Sequence, residues 1–184
     1  ERGVILSNGA ATVSQGPNNI DGFSGSDGTG ASPSTVWPGD ADMKTILDGR
    51  FGDNQATNNA TVVEFDFVPL DNNFSFEYVF ASEEYMVANY ECSTFQDGFA
   101  FILSGPGIVN DPGIAGKNIA LLADGVTPVS VGTIHNNVAS CAPAQNPGLY
   151  VDYYDITGGG VAATAPIQYN GSVVLLTASH AVTP

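Results

Sequence analysis

The chain has 184 residues, with 19 acids against four Lys and Arg and a formal net charge of −15. Such a charge argues against nucleic acid and anionic membrane surfaces as partners, because both need clustered Lys and Arg. Hydrophobic residues make up 43% and charged residues 12%, so one large domain over 1–184 can bury a core while holding few ion pairs. Among the spacers are 22 Gly and 11 Pro, with many Asn, Ser and Thr, which is the composition of an all-β protein with many loops. No apolar run approaches the roughly 18 residues of a membrane span. The acid excess predicts affinity for divalent cations and a salt-dependent stability. Its plainer reading is solubility in a saline or extracellular setting. The start at Glu1-Arg2-Gly3 reads as a processed product or a fragment.

In chain order, Gly3–Ser7 (GVILS) reads as a short apolar strand closed by the Asn8-Gly9 turn. Residues 14–42 are polar and Gly-rich and read as a long loop or flap. Near its end lie Trp37, Asp40 and Asp42, and Met43–Leu47 forms a helical turn capped by Asp42 or Asp40. Thr61–Val68 (TVVEFDFV) alternates, with Val63, Phe65 and Phe67 on one face. Asn73–Phe80 (NFSFEYVF) alternates too, and the turn PLDN between the two runs predicts an antiparallel hairpin. Gly98–Leu103, Asn118–Leu122, Val129–Thr133 and Gly171–Thr177 supply further strands, and Leu149–Tyr154 a strand or a tyrosine-rich turn. With no long 3.6-period segment, these short strands predict a two-sheet antiparallel β-sandwich of jelly-roll or lectin-like type, with little helix.

Cys92 and Cys141 are the two cysteines. An even count in an acidic Gly-, Asn- and Thr-rich chain points to a secreted protein with one disulfide. The alternative is two buried free thiols. No CxxC or His spacing accompanies them, which argues against a metal site.

Several of these segments together resemble the choice-of-anchor L domain family. They are GVILSNG, PGDADMKTIL, the run VVEFDFVPLDNNFSFEYVFASEEY, and FQDGFAFILSGPG followed by KNIALLADGVTPVSVGTIH. The order and spacing agree over residues 3–135, and more weakly over GSVVLLTAS. The resemblance implies a secreted bacterial domain at the cell surface, with no catalytic activity to carry onto particular residues. Family domains usually begin upstream of GVILSNG and continue past LLTAS with further strands containing an Asp-rich motif. A sandwich lacking such strands exposes an apolar groove with unpaired backbone groups. The expected role is therefore structural or adhesive, as a subunit of an extracellular filament completed by strand donation. The partner is a second copy or another envelope protein.

The densest chemistry lies in Phe80–Gly107, where Glu83, Glu84 and Asp97 sit beside core-forming strands. Half-buried carboxylates need a cation or hydrogen-bond donors. Calcium accepts six to eight oxygens, and Asp40, Asp42, Glu83, Glu84 and Asp97 are its candidate ligands, completed by Asn89 or loop carbonyls. The plainer reading is helix capping, Asx-turns and solvated acids. Asp97-Gly98-Phe99-Ala100-Phe101 also resembles the strand of legume-type lectins whose Asp meets the sugar beside calcium. That match implies a calcium-dependent carbohydrate-binding alternative, in which Trp37, Tyr85 and Tyr90, with Tyr153 and Tyr154, stack on sugar rings. Catalysis is not expected. His135 and His180 lie in no HExxH pattern, GxSxG is absent, and adjacent glutamates do not flank a scissile bond. The sequons at Asn59, Asn73 and Asn170 read as turn-forming asparagines.

Overall fold

The computed structural model describes residues 3–9, 11–18, 38–52, 57–86, 90–93, 96–137, 141–154 and 164–184. Most of the predicted flap, with Trp37, and Asn89 lie outside them. Among the described residues the fold is mostly β, with one α-helix and small antiparallel sheets. No helix among them is long and apolar enough to cross a membrane.

Helix α1 (Ala41–Phe51) begins where the sequence places it. The Asp40 carboxylate accepts from the Met43 backbone N–H at 2.8 Å, satisfying a donor that the first turn leaves orphaned. Asp42 in the first turn and Arg50 in the last complement the helix dipole. The helix runs one turn further than expected and stops at Gly52, whose φ of 89° suits a residue without a side chain. Its Leu47 is buried against the body.

The longest ladder joins β1 (Asn73–Tyr78) to β9 (Leu176–Ala181), from Asn73 opposite Ala181 to Tyr78 opposite Leu176. Phe74, Phe76 and Tyr78 turn inward, while Asn73, Ser75 and Glu77 face solvent. This is the alternation the sequence predicts, but the partner is different. The expected hairpin between Thr61–Val68 and Asn73–Phe80 does not form, and the sheet partner of β1 is the far-off strand β9. Residues 61–69 form no helix or strand and carry no ladder. They attach through rings instead. Phe67 stacks on Phe74 with centroids 4.7 Å apart, and Phe65 meets Phe101 edge-on at 6.3 Å.

Gly3–Ser7 likewise forms no strand, and Val4, Ile5 and Leu6 are exposed. The predicted strand Gly98–Leu103 divides into β3 (Gly98–Phe99) and β4 (Ile102–Leu103). The first pairs with β6 (Val129–Ser130) and the second with β5 (Lys117–Asn118). Val129–Thr133 ends as a 3-10 turn after Ser130. There the Ser130 N–H donates to Thr133 Oγ1 at 3.0 Å, which draws the chain out of the ladder. Gly171–Thr177 also changes partner midway. Its first half, β8 (Gly171–Val173), lies between β2 (Ala81–Ser82) and β7 (Tyr150–Asp152), and its second half enters β9. Four small sheets thus stand where two continuous ones were expected.

The main core gathers Tyr85, Leu122, Val129, Val131, Ile134, Tyr150 and Val173. A second cluster of Leu103, Ile119 and Ala178 is lined by Phe74, Phe76 and Phe101.

Candidate functional site

The turn after β2 and the chain entering β3 bring two of the predicted site residues together. Glu84 follows Ser82 at the strand end, and Asp97 precedes Gly98. The Asp97 backbone N–H donates to Glu84 Oε2 at 2.9 Å. Ser82 Oγ donates to Asp97 Oδ2 at 2.6 Å, and the Glu84 N–H donates to Ser82 Oγ at 2.9 Å. The result is a closed circuit in which each acid is held by the other's segment. Glu83 points its backbone the other way, and its carbonyl accepts from Asn170 Nδ2 at 2.8 Å.

A third acid, Glu91, joins them. It is 2% exposed, and its Oε1 accepts from the Met86 N–H, while its Oε2 is buried without a hydrogen-bond partner. Sequence reasoning passed over Glu91. Nothing in its flanking residues marks it, since its neighbour Cys92 is itself exposed. The expected disulfide does form, with Cα atoms of Cys92 and Cys141 5.4 Å apart. Gln96 completes the frame. Its Nε2 donates to the carbonyls of Tyr90 and Ser93, and its Oε1 accepts from the Gly132 N–H at 2.7 Å. A Cβ on Gly132 would stand 2.6 Å from that oxygen, so the close approach requires glycine.

The electrostatics follow from a burial of like charges. The described ion pairs are Lys44–Asp48 and Lys117–Asp111, neither of them in this pocket. Burial pushes the Glu84 carboxyl up to about 8, the neighbouring Asp97 charge adds to the rise, the Asp97 N–H opposes it, and Glu91 contributes further. Burial raises Asp97 as well, against the Ser82 hydroxyl. Asp97 keeps a little surface in solvent, yet protein packs densely around its carboxyl. Two such acids titrate together, and burial holds both above the ordinary carboxylate range. Tyr85 forms the apolar wall. It is fully buried, with its ring 4.9 Å from that of Tyr150 and edge-on to Phe80. Its phenol is raised well above the ordinary tyrosine value, first by burial and then by the charges of Asp97 and Glu91.

The other predicted site residues do not join this pocket as ligands. The Asp40 carboxylate caps α1, and Asp42 sits in that helix's first turn, in line with the plainer reading of both. Among the described residues no group of three or more Asp, Glu, His or Cys is placed to hold a metal ion. Tyr85 was a candidate for stacking on a ligand, and its full burial overturns that, since a sugar ring has no access to it. Tyr90 is half-buried at the pocket's edge. His135 Nδ1 meets the Asn136 carbonyl at 2.7 Å, and His180 Nδ1 meets that of Ala181 at 2.6 Å. Asn59 takes a left-handed turn at φ 53°, and Asn170 is buried between Glu83 and Asn18, so both are structural asparagines.

The described hydrogen bonds make this cluster a tie between chain segments. It holds together the turn 83–86, the 3-10 turn Tyr90–Cys92, the entry to β3 and the 3-10 turn Val131–Thr133. Against this geometry, the family model of the choice-of-anchor L domain matches residues 1–184, and the chain belongs to that family. The match extends beyond the motifs of residues 3–135 to the whole chain. No match was found among curated proteins or among solved structures. The family is one of bacterial surface-associated modules and is not a known enzyme family.

Proposed function

We propose, from membership in the choice-of-anchor L family, that this chain is a non-catalytic structural or adhesive module of the bacterial cell surface. It assembles into an extracellular filament by β-strand complementation. The observation that carries this reading is the segment 61–69. Its sequence alternates, Val62, Val63, Phe65 and Val68 are 59–81% exposed, and no backbone hydrogen bond engages residues 62–69 among the described residues. An alternating segment with an apolar surface and open backbone groups is a template for another strand. The acid tie sits elsewhere and supplies rigidity, which a load-bearing subunit needs. Calcium enters this reading as an external counter-charge for a chain at −15.

The test is negative-stain electron microscopy of the native material with and without a calcium chelator. Ordered polymers are expected, and their loss in chelator would place calcium in the assembly. Dispersed particles under both conditions, at the highest concentration the protein tolerates, would overturn the assembly reading and return attention to glycan binding.

A further inference from the structure

We infer that the strand accepted along residues 61–69 is Gly3–Ser7 of a second copy of this chain. The inference rests on the strand-complementation reading above and names the donor it lacks.

The acceptor restricts its occupant by charge. Glu64 and Asp66 alternate with Val63, Phe65 and Phe67. If two copies of this segment paired antiparallel about Phe65, Glu64 would face Asp66 across the ladder. Like charges opposed in this way are destabilising. In a chain with 19 acids and four bases the donor must therefore be free of acids. Gly3–Ser7 (GVILS) has no charge at all, and its centre Val4-Ile5-Leu6 is apolar. Val4, Ile5 and Leu6 are 87%, 65% and 50% exposed, and residues 3–6 make no backbone hydrogen bond among the described residues. The remaining large exposed apolar residues are isolated or flank β1 (Leu70, Val79, Val109, Val126, Leu175), so none of them forms a comparable run.

Position points to a second copy. Within one chain Thr61 Oγ1 donates to the Ser7 carbonyl at 2.8 Å, and no backbone–backbone hydrogen bond joins the two segments among the described residues. Ser7 is also held locally, by the Gly9 N–H at 3.1 Å and by Tyr169. The segment is thus anchored at the end of its own acceptor, and Val4–Leu6 stand out in solvent. Donor and acceptor are different surfaces, so the contact is heterologous. Repeated without closure it propagates as a fibre. At about 3.3 Å per residue the five-residue donor covers roughly half of the nine-residue acceptor.

The test compares Ile5→Glu and Ile5→Lys with the parent chain by sedimentation and electron microscopy. Ile5 is exposed in the single chain, so both variants fold. Ile5→Glu brings a third acid to Glu64 and Asp66 and is expected to raise the concentration needed for polymers roughly tenfold or more. Ile5→Lys meets those acids with a cation and is expected to stay near the parent. A synthetic GVILSNG peptide is expected to shorten polymers and to protect the amides of 62–69 from hydrogen exchange. Polymers of Ile5→Glu equal to the parent's overturn the donor assignment and leave the assembly reading standing. A parent that stays monomeric yet protects 62–69 with the peptide overturns the second-copy occupant and keeps the acceptor. A monomeric parent with no peptide effect overturns both.

Discussion

Two regions of this molecule treat the hydrophobic effect in opposite ways. Around Tyr85 the chain packs protein about three carboxylates, with Glu91 buried and Glu84 and Asp97 half-buried. Along 3–7 and 61–69 it leaves large apolar side chains in water. The first region uses hydrogen bonds to hold Glu84, Glu91 and Asp97 in place. The second leaves aliphatic and aromatic surface unused, although each fully buried Val, Leu or Phe side chain would contribute about 1.5–3 kcal/mol. A fold that buries acids while exposing Val62, Val63 and Phe65 leaves that surface open to the contact proposed above. If that surface serves the proposed assembly, stability and assembly are assigned to different parts of the chain, and each can be broken alone.

The largest effect is expected at the bridge that closes the buried region. Cys92 and Cys141 are 49 residues apart, and in the chain-entropy model closing such a loop stabilises the fold by about 4 kcal/mol. The double variant Cys92→Ser, Cys141→Ser is expected to lose that much in chemical denaturation and to expose the Glu91 pocket. A loss below about 1 kcal/mol would mean that the hydrogen-bonded tie holds without its staple.

The next effect is smaller and depends on pH. Glu84 has its folded value raised from 4.5 to about 8. Between those values the folded state binds more protons than the unfolded one, so stability falls as pH rises through that window and levels off above it. Glu84→Gln keeps an acceptor for the Asp97 N–H and removes the charge. It is expected to match the parent near pH 4 and to exceed it increasingly up to pH 8.5, by on the order of 2–4 kcal/mol. Thermal melts across that range check it. Parallel curves for the two proteins would show that the pair is not protonated in the fold, and that a cation or solvent relieves its charge.

Much of this division was legible in the sequence, and the reasons are local. Asp40 as a cap, the inward face of Phe74, Phe76 and Tyr78, and the pairing of the two cysteines each follow from short-range rules or from there being a single choice. Glu84 and Asp97 were visible as acids beside strands in a chain poor in cations. What failed was partner choice. Alternation shows which side of Thr61–Val68 and Asn73–Phe80 is apolar, but β9 lies about a hundred residues away and adjacency favoured the nearer run. The strands at 98–103 and 171–177 look continuous because a change of partner midway leaves no trace in periodicity. Glu91 was invisible for a related reason. Its carboxylate is met by the Met86 N–H, a backbone donor five residues back that its own flanking residues do not announce.

The smallest expected change in stability falls in the exposed region, and it sharpens the comparison most. Val68 is 81% exposed, so Val68→Lys removes little buried surface and should shift the denaturation midpoint by no more than about 0.5 kcal/mol. If the surface were an incidental feature of the monomer, nothing else would change. If it accepts a strand, a lysine at its end places a strongly hydrated charge where a partner's apolar side chain must lie. Polymer formation then falls while the melting curve stays put, the reverse of what Glu84→Gln does. Loss of monomer stability in Val68→Lys comparable to that of the cysteine variant would instead show that 61–69 is part of the monomer's core, and the two regions would be one.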